Sequence, residues 1–380
     1  MKVLVAGDYV PRNRVAELIE LKDYQTVFGE VKPLLEEVDY AIVNFEVPVI
    51  NGKETPIVKT GPNLKCTANA VESIQWAGFD CVTLANNHFR DQGEQGVRDT
   101  LSACERFGID HVGGGLNLQD AQQILYKEIK GEKLAVVNFC ENEWSIASGK
   151  YGGSAPLNPV QNFYQIQEAR QNADYVLVIV HGGIEMYQYP TPRMQETYRF
   201  FIDAGADAVV NHHQHCYSGY EVYQGKPIFY GLGNFCFDKN DGKDSIWNDG
   251  YMIELFFENE STSFQQFPYK QCVTNSFVCL LDIDGQADFN AKIEEINGAI
   301  LNEKKIADTF NKLIDSRYES RMLALEPHSN KIINLLKQKH VLPRRINHES
   351  KKSMYVRISC ESNREVLQGI LRKYFNDYAK

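Results

Sequence analysis

The chain has 380 residues, of which 43% are hydrophobic and 24% are charged, and this composition excludes disorder as the main state. Its length exceeds one ordinary core and indicates a large domain with an appendage, or two domains. The formal net charge of −10 argues against a nucleic-acid-binding protein, which would present a basic face. A locally basic stretch at 337–352 is typical of a solvated helix end and loop.

Cysteine usage and the N-terminal sequence predict a cytoplasmic protein. The nine cysteines are dispersed and form no CxxC pair, which is typical of reduced thiols and not of a disulfide framework. The apolar run in the N-terminal stretch "MKVLVAGDYVP" is too short for a signal peptide. No window reaches the length of a membrane span. We therefore expect a cytoplasmic chain without a membrane span.

Alternating strands and helices predict an α/β fold over the first 210 residues. Apolar, β-branched runs predict strands at 2–6, 40–45, 81–85, 133–139, 175–180 and 207–210. Amphipathic stretches predict helices near 31–38, 69–77, 94–107, 160–172 and 192–204. After residue 219, strand–turn–strand patterns predict antiparallel strands, and the first pattern carries a turn at Gly225-Lys226-Pro227.

From about residue 287 the apolar period becomes 3.6, which predicts helices. Further helices are predicted near 328–340 and 363–378. We therefore divide the chain into a main domain at 1–286 and a helical C-terminal extension at 287–380. The extension carries an apolar stripe that favours a packing face over a cofactor site. Its members are Ile293, Ile296, Ile300, Ile306, Phe310 and Leu313.

Polar side chains follow five of the predicted strands, at or near the point where each strand ends. If the strands share one parallel sheet, these ends lie along one edge, where α/β proteins bind ligands. A mixed set of imidazole, carboxylate and amide groups suits a Lewis-acidic divalent ion such as manganese, iron or zinc. Each residue taken alone could instead have a purely structural role, in a turn, as a helix cap or as a hydrogen-bonded histidine. The residues are Asp8, Asn44, Glu46, Asn86, Asn87, His88, His181, Asn211, His212, His213 and His215.

Several longer stretches resemble one family, the CapA-type poly-γ-glutamate capsule synthesis proteins, a branch of the calcineurin-like metallophosphoesterases. The resemblance implies an α/β fold of two sheets flanked by helices (an αββα sandwich), with one or two metal ions at the strand ends. It covers residues 8–238 and leaves the helical extension unmatched. The matching stretches are "GD" (7–8), "NFE" (44–46), "TLANNHFRDQGEQGVRDTL" (83–101), "GIDHVGGGLN" (108–117), "VHGGIEMYQYPTPRMQ" (180–195) and "AGADAVVNHHQHCYSGYEVYQGKPIFYGLGNFCFD" (204–238).

Carried over by position, the resemblance implies metal ligands and a catalytic histidine, His88. The implied ligands are Asp8, Glu46, Asn87, His181, His213 and His215. The chain also departs from the pattern, with Val10 where the wider superfamily has histidine and Glu46 where it has aspartate. Gln214 and Asn211 replace a proline and a glycine that are usual in CapA-like proteins.

The remaining roles are predicted with their alternatives. Asp91 is predicted to orient His88 or to serve at a helix N-terminus. Arg193 is predicted to anchor an anion or to form a surface salt bridge. Asn44, Asn86 and His212 are further candidates for substrate contacts.

Three functions agree with these residues. The first is a metal-dependent hydrolase that resembles phosphoesterases and takes a small-molecule or polymeric anionic substrate. The second is a non-hydrolytic, metal-binding component of anionic polymer or capsule biosynthesis. Hydrolysis of an amide is the third. Specificity is expected in the loops at 47–66, 141–156 and 239–250, and the oligomeric state stays open.

Overall fold

The structure is a computed structural model that describes residues 1–325, 336, 339, 341 and 348–378. Apart from residues 336 and 339, the helix predicted near 328–340 lies outside the described residues. Among the residues that are described, no helix is long and apolar enough to cross a membrane.

The strands form two large sheets and one small one. Their chain order fits the predicted alternation with helices as far as β10. The strands are β1 (Lys2–Val10), β2 (Tyr40–Phe45), β3 (Cys81–Thr83), β4 (Asp110–Val112), β5 (Gly114–Gly115), β6 (Leu125–Ile129), β7 (Glu132–Cys140), β8 (Gly153–Ser154), β9 (Tyr175–His181), β10 (Ala208–His212), β11 (Tyr220–Tyr223), β12 (Lys226–Phe229), β13 (Asn234–Phe237), β14 (Asp249–Glu258), β15 (Ser261–Gln271) and β16 (Val278–Leu280).

The helices alternate with the parallel strands and then dominate the C-terminal part. Those predicted near 69–77, 94–107, 160–172 and 192–204 are present within one residue of the predicted bounds. The helices are α1 (Asn13–Glu20), α2 (Tyr24–Phe28), α3 (Lys32–Glu36), α4 (Asn69–Ala77), α5 (Gly93–Phe107), α6 (Leu118–Ala121), α7 (Pro159–Asn172), α8 (Pro192–Asp203), α9 (Ile283–Ile300), α10 (Glu303–Leu325), α11 (His348–Ser359) and α12 (Glu361–Tyr378).

The first sheet has the strand order β16-β15-β14-β1-β2-β3-β4, with β13 pairing the end of β1. Strands β1 to β4 run parallel, whereas β14, β15 and β16 are antiparallel to their neighbours. The second sheet has the order β11-β12-β10-β9-β7-β6, with β7, β9, β10 and β12 parallel. Antiparallel return after residue 219 is thus confirmed for the β11–β12 hairpin and for β14 to β16. Strand β12 also pairs parallel with β10, and β13 pairs parallel with β1.

Two apolar layers hold the sheets and helices together. The inner layer joins Val3, Val5 and Ile42 of the first sheet to the strands of the second. The outer layer packs the opposite face of the first sheet, including Leu4 and Val43, against α1, α2, α4 and α5. Helices α7 and α8 cover the second sheet. The predicted αββα sandwich is therefore confirmed.

The turn predicted at Gly225-Lys226-Pro227 begins one residue earlier in the structure. The turn between β11 and β12 is formed by Gln224 and Gly225, both with positive φ, so Lys226 and Pro227 already belong to the strand. A two-residue turn of this type matches the twist of a hairpin.

The apolar stripe predicted after residue 287 is confirmed as a packing face, because its isoleucines lie in the inner layer. The domain boundary at 286 stays a prediction.

Candidate metal centre

The polar strand ends meet at one end of the sandwich, but they come from two sheets. Strands β1, β2 and β3 belong to the first sheet, and β9 and β10 belong to the second. The single shared sheet considered in the sequence analysis is therefore wrong. Because the two sheets face each other with their carboxyl ends on the same side, the predicted convergence still occurs.

A β-bulge turns Asp8 toward the second sheet. Val5 faces the inner layer and Ala6 the outer one, so regular alternation would point Asp8 outward. The register with β2 shifts between Ala6 and Asp8, and this bulge reverses the facing. Gly7 permits it, since a Cβ there would lie 2.0 Å from the carbonyl oxygen of Gly233 on the adjacent chain segment.

Strand β2 delivers Asn44 and Glu46 by simple alternation. Val43 and Phe45 lie in the outer layer, whereas Ile42 lies in the inner one. Asn44 and Glu46 continue this inward series and are both buried. Asn44 donates from Nδ2 to Asp8 Oδ1 at 2.7 Å, so it fixes the first carboxylate beside the second strand.

Strand β9 ends in His181, which lies between the two sheets. Its Nε2 is 3.4 Å from Glu46 Oε1 and 3.1 Å from Asn87 Oδ1. The same nitrogen lies 3.1 Å from Nδ1 of His213. A carboxylate oxygen, an amide oxygen and a second imidazole nitrogen thus lie within 3.4 Å of His181 Nε2.

The loop after β10 holds His213 and His215 in an uncommon backbone conformation. Their φ values are 91° and 54°, in the region that non-glycine residues rarely adopt. Such conformations persist where surrounding structure imposes them, and they cluster at functional sites. Asn234 Oδ1 lies 2.9 Å from His215 Nδ1, and the ring of Trp247 packs against that of His215 with centroids 4.9 Å apart. These contacts fix the orientation of the His215 ring.

Two groups of side chains have the spacing of metal ligands, and they share Glu46. One group is Glu46, His181 and His213, and the other is Asp8, Glu46 and His215; ligand atoms within each lie within 4.8 Å of one another. Both carboxylate oxygens of Glu46 are buried and lack a hydrogen-bond partner among the described residues. A buried carboxylate without partners is costly unless a cation satisfies it. The donor set therefore fits a divalent ion.

The charges at this centre perturb one another strongly. Burial raises the pKa of Glu46 well above its usual value, and the Asp8 carboxylate raises it further. Burial would also raise the pKa of Asp8, but the hydrogen bond with His215 and the nearby His212 hold it below its usual range. Burial lowers the pKa of His215, yet the two carboxylates outweigh burial and raise that pKa to about 10. Burial is the main cause that holds the pKa of His181 well below its usual value, and the charge of His213 is the second.

His88 follows Asn87 directly and forms a second cluster with Asp91. Its Nδ1 lies 2.6 Å from Asp91 Oδ2, as predicted for an orienting carboxylate. The ammonium of Lys59 forms an ion pair with Asp91 and lies 3.1 Å from the same ring nitrogen. Burial lowers the pKa of His88; Asp91 opposes this shift, and Lys59 adds to it.

Comparison with known proteins assigns the chain to a family. The family model described as "Bacterial capsule synthesis protein PGA_cap" matches residues 2–239, which is more than half of the chain. The chain belongs to this family. The helices from α9 onward lie beyond the matched residues.

Two relatives named for capsule or PGA biosynthesis are each 34% identical to this chain over part of its length. "Capsule biosynthesis protein CapA" of Bacillus anthracis is 34% identical over 247 residues, covering 63% of this chain and 60% of that protein. "PGA biosynthesis protein CapA" of Bacillus subtilis (strain 168) is 34% identical over 236 residues, covering 61% and 62%. The chain thus spans less than two thirds of the length of these relatives.

Among solved structures, a hypothetical protein from Thermus thermophilus has a TM-score of 0.45 at 16% identity, covering 71% of this chain and 99% of that one. A 5'-nucleotidase precursor from the same organism has a TM-score of 0.37 at 10% identity, covering 79% and 59%. Both TM-scores lie below 0.5, and we draw no inference from them.

In this capsule synthesis family member, three of the predicted substrate contacts are buried beside the candidate ligands. Asn44 and Asn86 are buried, and Asn86 donates to the Phe45 carbonyl and accepts from the His88 backbone N–H. His212 is only 1% exposed, with Nδ1 3.7 Å from Asp8 Oδ1. Hydrogen bonds fix Asn44 beside Asp8 and Asn86 beside His88, and direct contact of these three side chains with a substrate stays a prediction.

Arg193 is engaged in ion pairs. Its guanidinium pairs with the buried Glu141, and its Nε lies 3.5 Å from Glu365 of α12. Its Nη2 also donates to Ser362 Oγ at 3.0 Å. The salt-bridge alternative is therefore favoured over the anion anchor, and Arg193 links α8 to the C-terminal helices.

Val10 lies in the outer layer and offers no ligand. The replacement of histidine by valine at position 10 therefore removes a ligand, since the Val10 side chain does not enter the centre. His215 instead completes the group of Asp8 and Glu46. Gln214 and Asn211 also point away from the centre, because Gln214 donates to the carbonyl of Tyr187 and Asn211 donates to those of Gly182 and Tyr230.

Three residues of the centre were missed from the sequence. Lys59 and Glu143 lie in loops, and Asn234 begins β13. Glu143 Oε2 accepts from Asn87 Nδ2 at 3.3 Å, which directs the Asn87 oxygen toward His181. The available signals were single polar residues between apolar or glycine neighbours, as in "PIVKTGP" and "GLGNFCF".

Proposed function

We propose that this chain is a metal-dependent hydrolase of the phosphoesterase-like type. The observation that carries the proposal is the shared Glu46 carboxylate, which belongs to both ligand groups and has no other partner among the described residues. A carboxylate shared between two ligand groups favours a pair of divalent ions. We propose manganese, iron or zinc, because the set mixes imidazole with oxygen donors.

Each residue has a specific task in this proposal. Asp8 and His215 would hold one ion together with Glu46, while His181, His213 and Asn87 would hold the other, also together with Glu46. When bound, the ions would polarise an ester group and lower the pKa of a water molecule. Asn44 and Glu143 fix the orientation of ligands, as outer-shell groups do in metal sites.

His88 is proposed as the proton donor to the leaving oxygen. The contact of its Nδ1 with Asp91 leaves Nε2 as the nitrogen that serves the substrate. Asp91 is buried and also accepts from the Leu64 backbone N–H at 2.6 Å, so its position is fixed. General acid catalysis of this kind contributes about 10²–10⁴-fold to a rate.

The proposed substrate is anionic and either small or polymeric. The names of the relatives refer to capsule and PGA biosynthesis, which favours a polymeric anion for this chain as well. Cytoplasmic location, predicted from the sequence, stays a prediction that cell fractionation tests.

A non-hydrolytic role in polymer biosynthesis is the second candidate. It is favoured by Val10, which lies in the outer layer and supplies no nitrogen ligand where the wider superfamily has histidine. In this role the ions would be structural, and the centre would bind an anion without cleaving it.

One experiment separates the two candidates. The protein is purified without chelator, its metal content is measured by elemental analysis, and a chromogenic phosphodiester is assayed with manganese. The hydrolase proposal predicts turnover that falls about 10²-fold or more in His88→Ala, with unchanged metal content. Stoichiometric metal without turnover on a broad phosphoester panel would establish the non-hydrolytic role instead.

A further inference from the structure

Lys59 differs from its neighbours in the loop between β2 and α4. Its side chain is 2% exposed, whereas Lys65 of the same loop is 46% exposed and pairs with the exposed Glu54. Burying an ammonium is costly unless the charge is paired and hydrogen-bonded. The position of Lys59 beside His88 therefore requires an explanation that Lys65 does not.

The partners of Lys59 supply that explanation. Its ammonium pairs with Asp91 Oδ1, while Asp91 Oδ2 receives the Leu64 N–H and His88 Nδ1, each at 2.6 Å. The carboxylate is thereby held by three donors on both oxygens. A carboxylate fixed in this way accepts from Nδ1–H of His88 and defines which nitrogen of the ring carries the proton.

The backbone of Lys59 contacts the C-terminal extension. Lys352 of α11 donates to the Lys59 carbonyl oxygen at 3.2 Å. Nearby, the ring of Tyr355 packs against Trp144 with centroids 5.2 Å apart, and Trp144 Nε1 donates to Thr60 Oγ1 at 3.2 Å. Helix α11 thus braces the loop that carries Lys59.

We propose that Lys59 is a positioning residue, which acts through Asp91 to hold the His88 ring in its working orientation and tautomer. This inference rests on the proposed hydrolase function. The loop braced by α11 supplies Lys59, so the C-terminal extension contributes to the order of the catalytic pair although it lies beyond the family match.

A double-mutant cycle tests the proposal in the full-length, manganese-loaded protein. Lys59→Met lowers kcat on a chromogenic phosphodiester by about tenfold or more, while KM changes by less than about threefold, because orientation for proton transfer is lost. In the His88→Ala background, Lys59→Met causes no further loss. Lys65→Met, the matched control from the same loop, leaves kcat unchanged. Losses that multiply in the His88→Ala background would overturn the proposal.

Two further variants keep the test decisive if Lys59→Met fails to fold. Lys59→Arg keeps the cation and restores most of kcat. Lys59→Met combined with Asp91→Asn removes both members of the ion pair, and its kcat equals that of Asp91→Asn alone. A kcat well below that of Asp91→Asn would show that Lys59 acts by another route and would overturn the proposal.

A readout without turnover distinguishes failure of this inference from failure of the proposed function. Nitrogen-15 NMR of histidine side chains in the zinc-loaded protein reports the protonated ring nitrogen of His88. The wild type gives the Nδ1–H tautomer, and Lys59→Met gives a mixture of tautomers. An unchanged His88 signal in the variant would overturn the role of Lys59, even if the wild type cleaves no phosphoester.

Discussion

The two sheets contribute different chemistry to the same centre. The strand ends of the first sheet supply oxygen donors, namely Asp8, Glu46 and Asn87. The second sheet supplies imidazoles, from His181 at the end of β9 and from the loop after β10. Every one of these side chains is buried or nearly so.

The difference shows why neither sheet suffices alone. The carboxylates of the first sheet raise the pKa of His215, and the unpartnered oxygens of Glu46 face His181 at 3.4 Å. An ion between the sheets would satisfy both sets at once, since divalent ions of this kind accept electron pairs from oxygen and nitrogen alike. We therefore expect the metal to join the two sheets at this end of the sandwich.

Removing the shared carboxylate gives the largest expected effect. Glu46→Gln keeps the size of the side chain but removes its charge, so both ligand groups lose a member. We expect nearly all bound metal to be lost, by elemental analysis, and phosphodiester turnover to fall about 10³-fold or more. The control is Glu128→Gln, an exposed position on β6. Retention of full metal content by Glu46→Gln would refute a shared ligand.

Removing one donor from each sheet in turn compares the contributions of the two sheets to metal binding. Asp8→Asn affects only the group with His215, and His213→Ala affects only the group with His181. Each variant is expected to lose about half of the bound metal and to be about 10²-fold less active. Complete loss from one variant and no loss from the other would indicate a single ion on one side.

Removing the metal tests whether an ion joins the two sheets, and the expected change in Tm is the smallest of the three effects. An ion at about 100 times its Kd stabilises a protein by about 2.7 kcal/mol, which for a chain of this length raises Tm by about 3 °C. Chelation should lower Tm by that amount in the wild type and leave Glu46→Gln unchanged, measured by differential scanning fluorimetry. Equal Tm values before and after chelation of the metal-loaded wild type would contradict a bridging ion.

Much of the fold was predictable because its signals are local. The runs "YAIVNF" and "YVLVIV" predicted β2 and β9 almost to the residue, and α4 was predicted at its observed bounds. The distribution of strands between two sheets was not predictable from their patterns, since pairing depends on contacts far apart in the sequence. The β-bulge at Gly7 and Asp8 likewise depends on the approach of Gly233.

The residues of the site likewise fall into those with a local sequence signal and those whose role depends on distant partners. Residues at strand ends, such as Asp8 and His181, were found because they follow apolar runs. Lys59 and Asn234 were missed because their partners, Asp91 and His215, lie 32 and 19 positions away. The burial of His212 was also not predictable from the pattern of its neighbours, and its contact with a substrate stays a prediction.

The most direct test is anomalous diffraction from crystals of the manganese-loaded protein, with data collected on both sides of the manganese absorption edge. The account predicts two manganese peaks that flank Glu46, each at about 2.0–2.3 Å from its ligands. One peak should contact Asp8 and His215, and the other should contact His181 and His213. Absence of any peak among these side chains at full manganese loading would contradict the central claim.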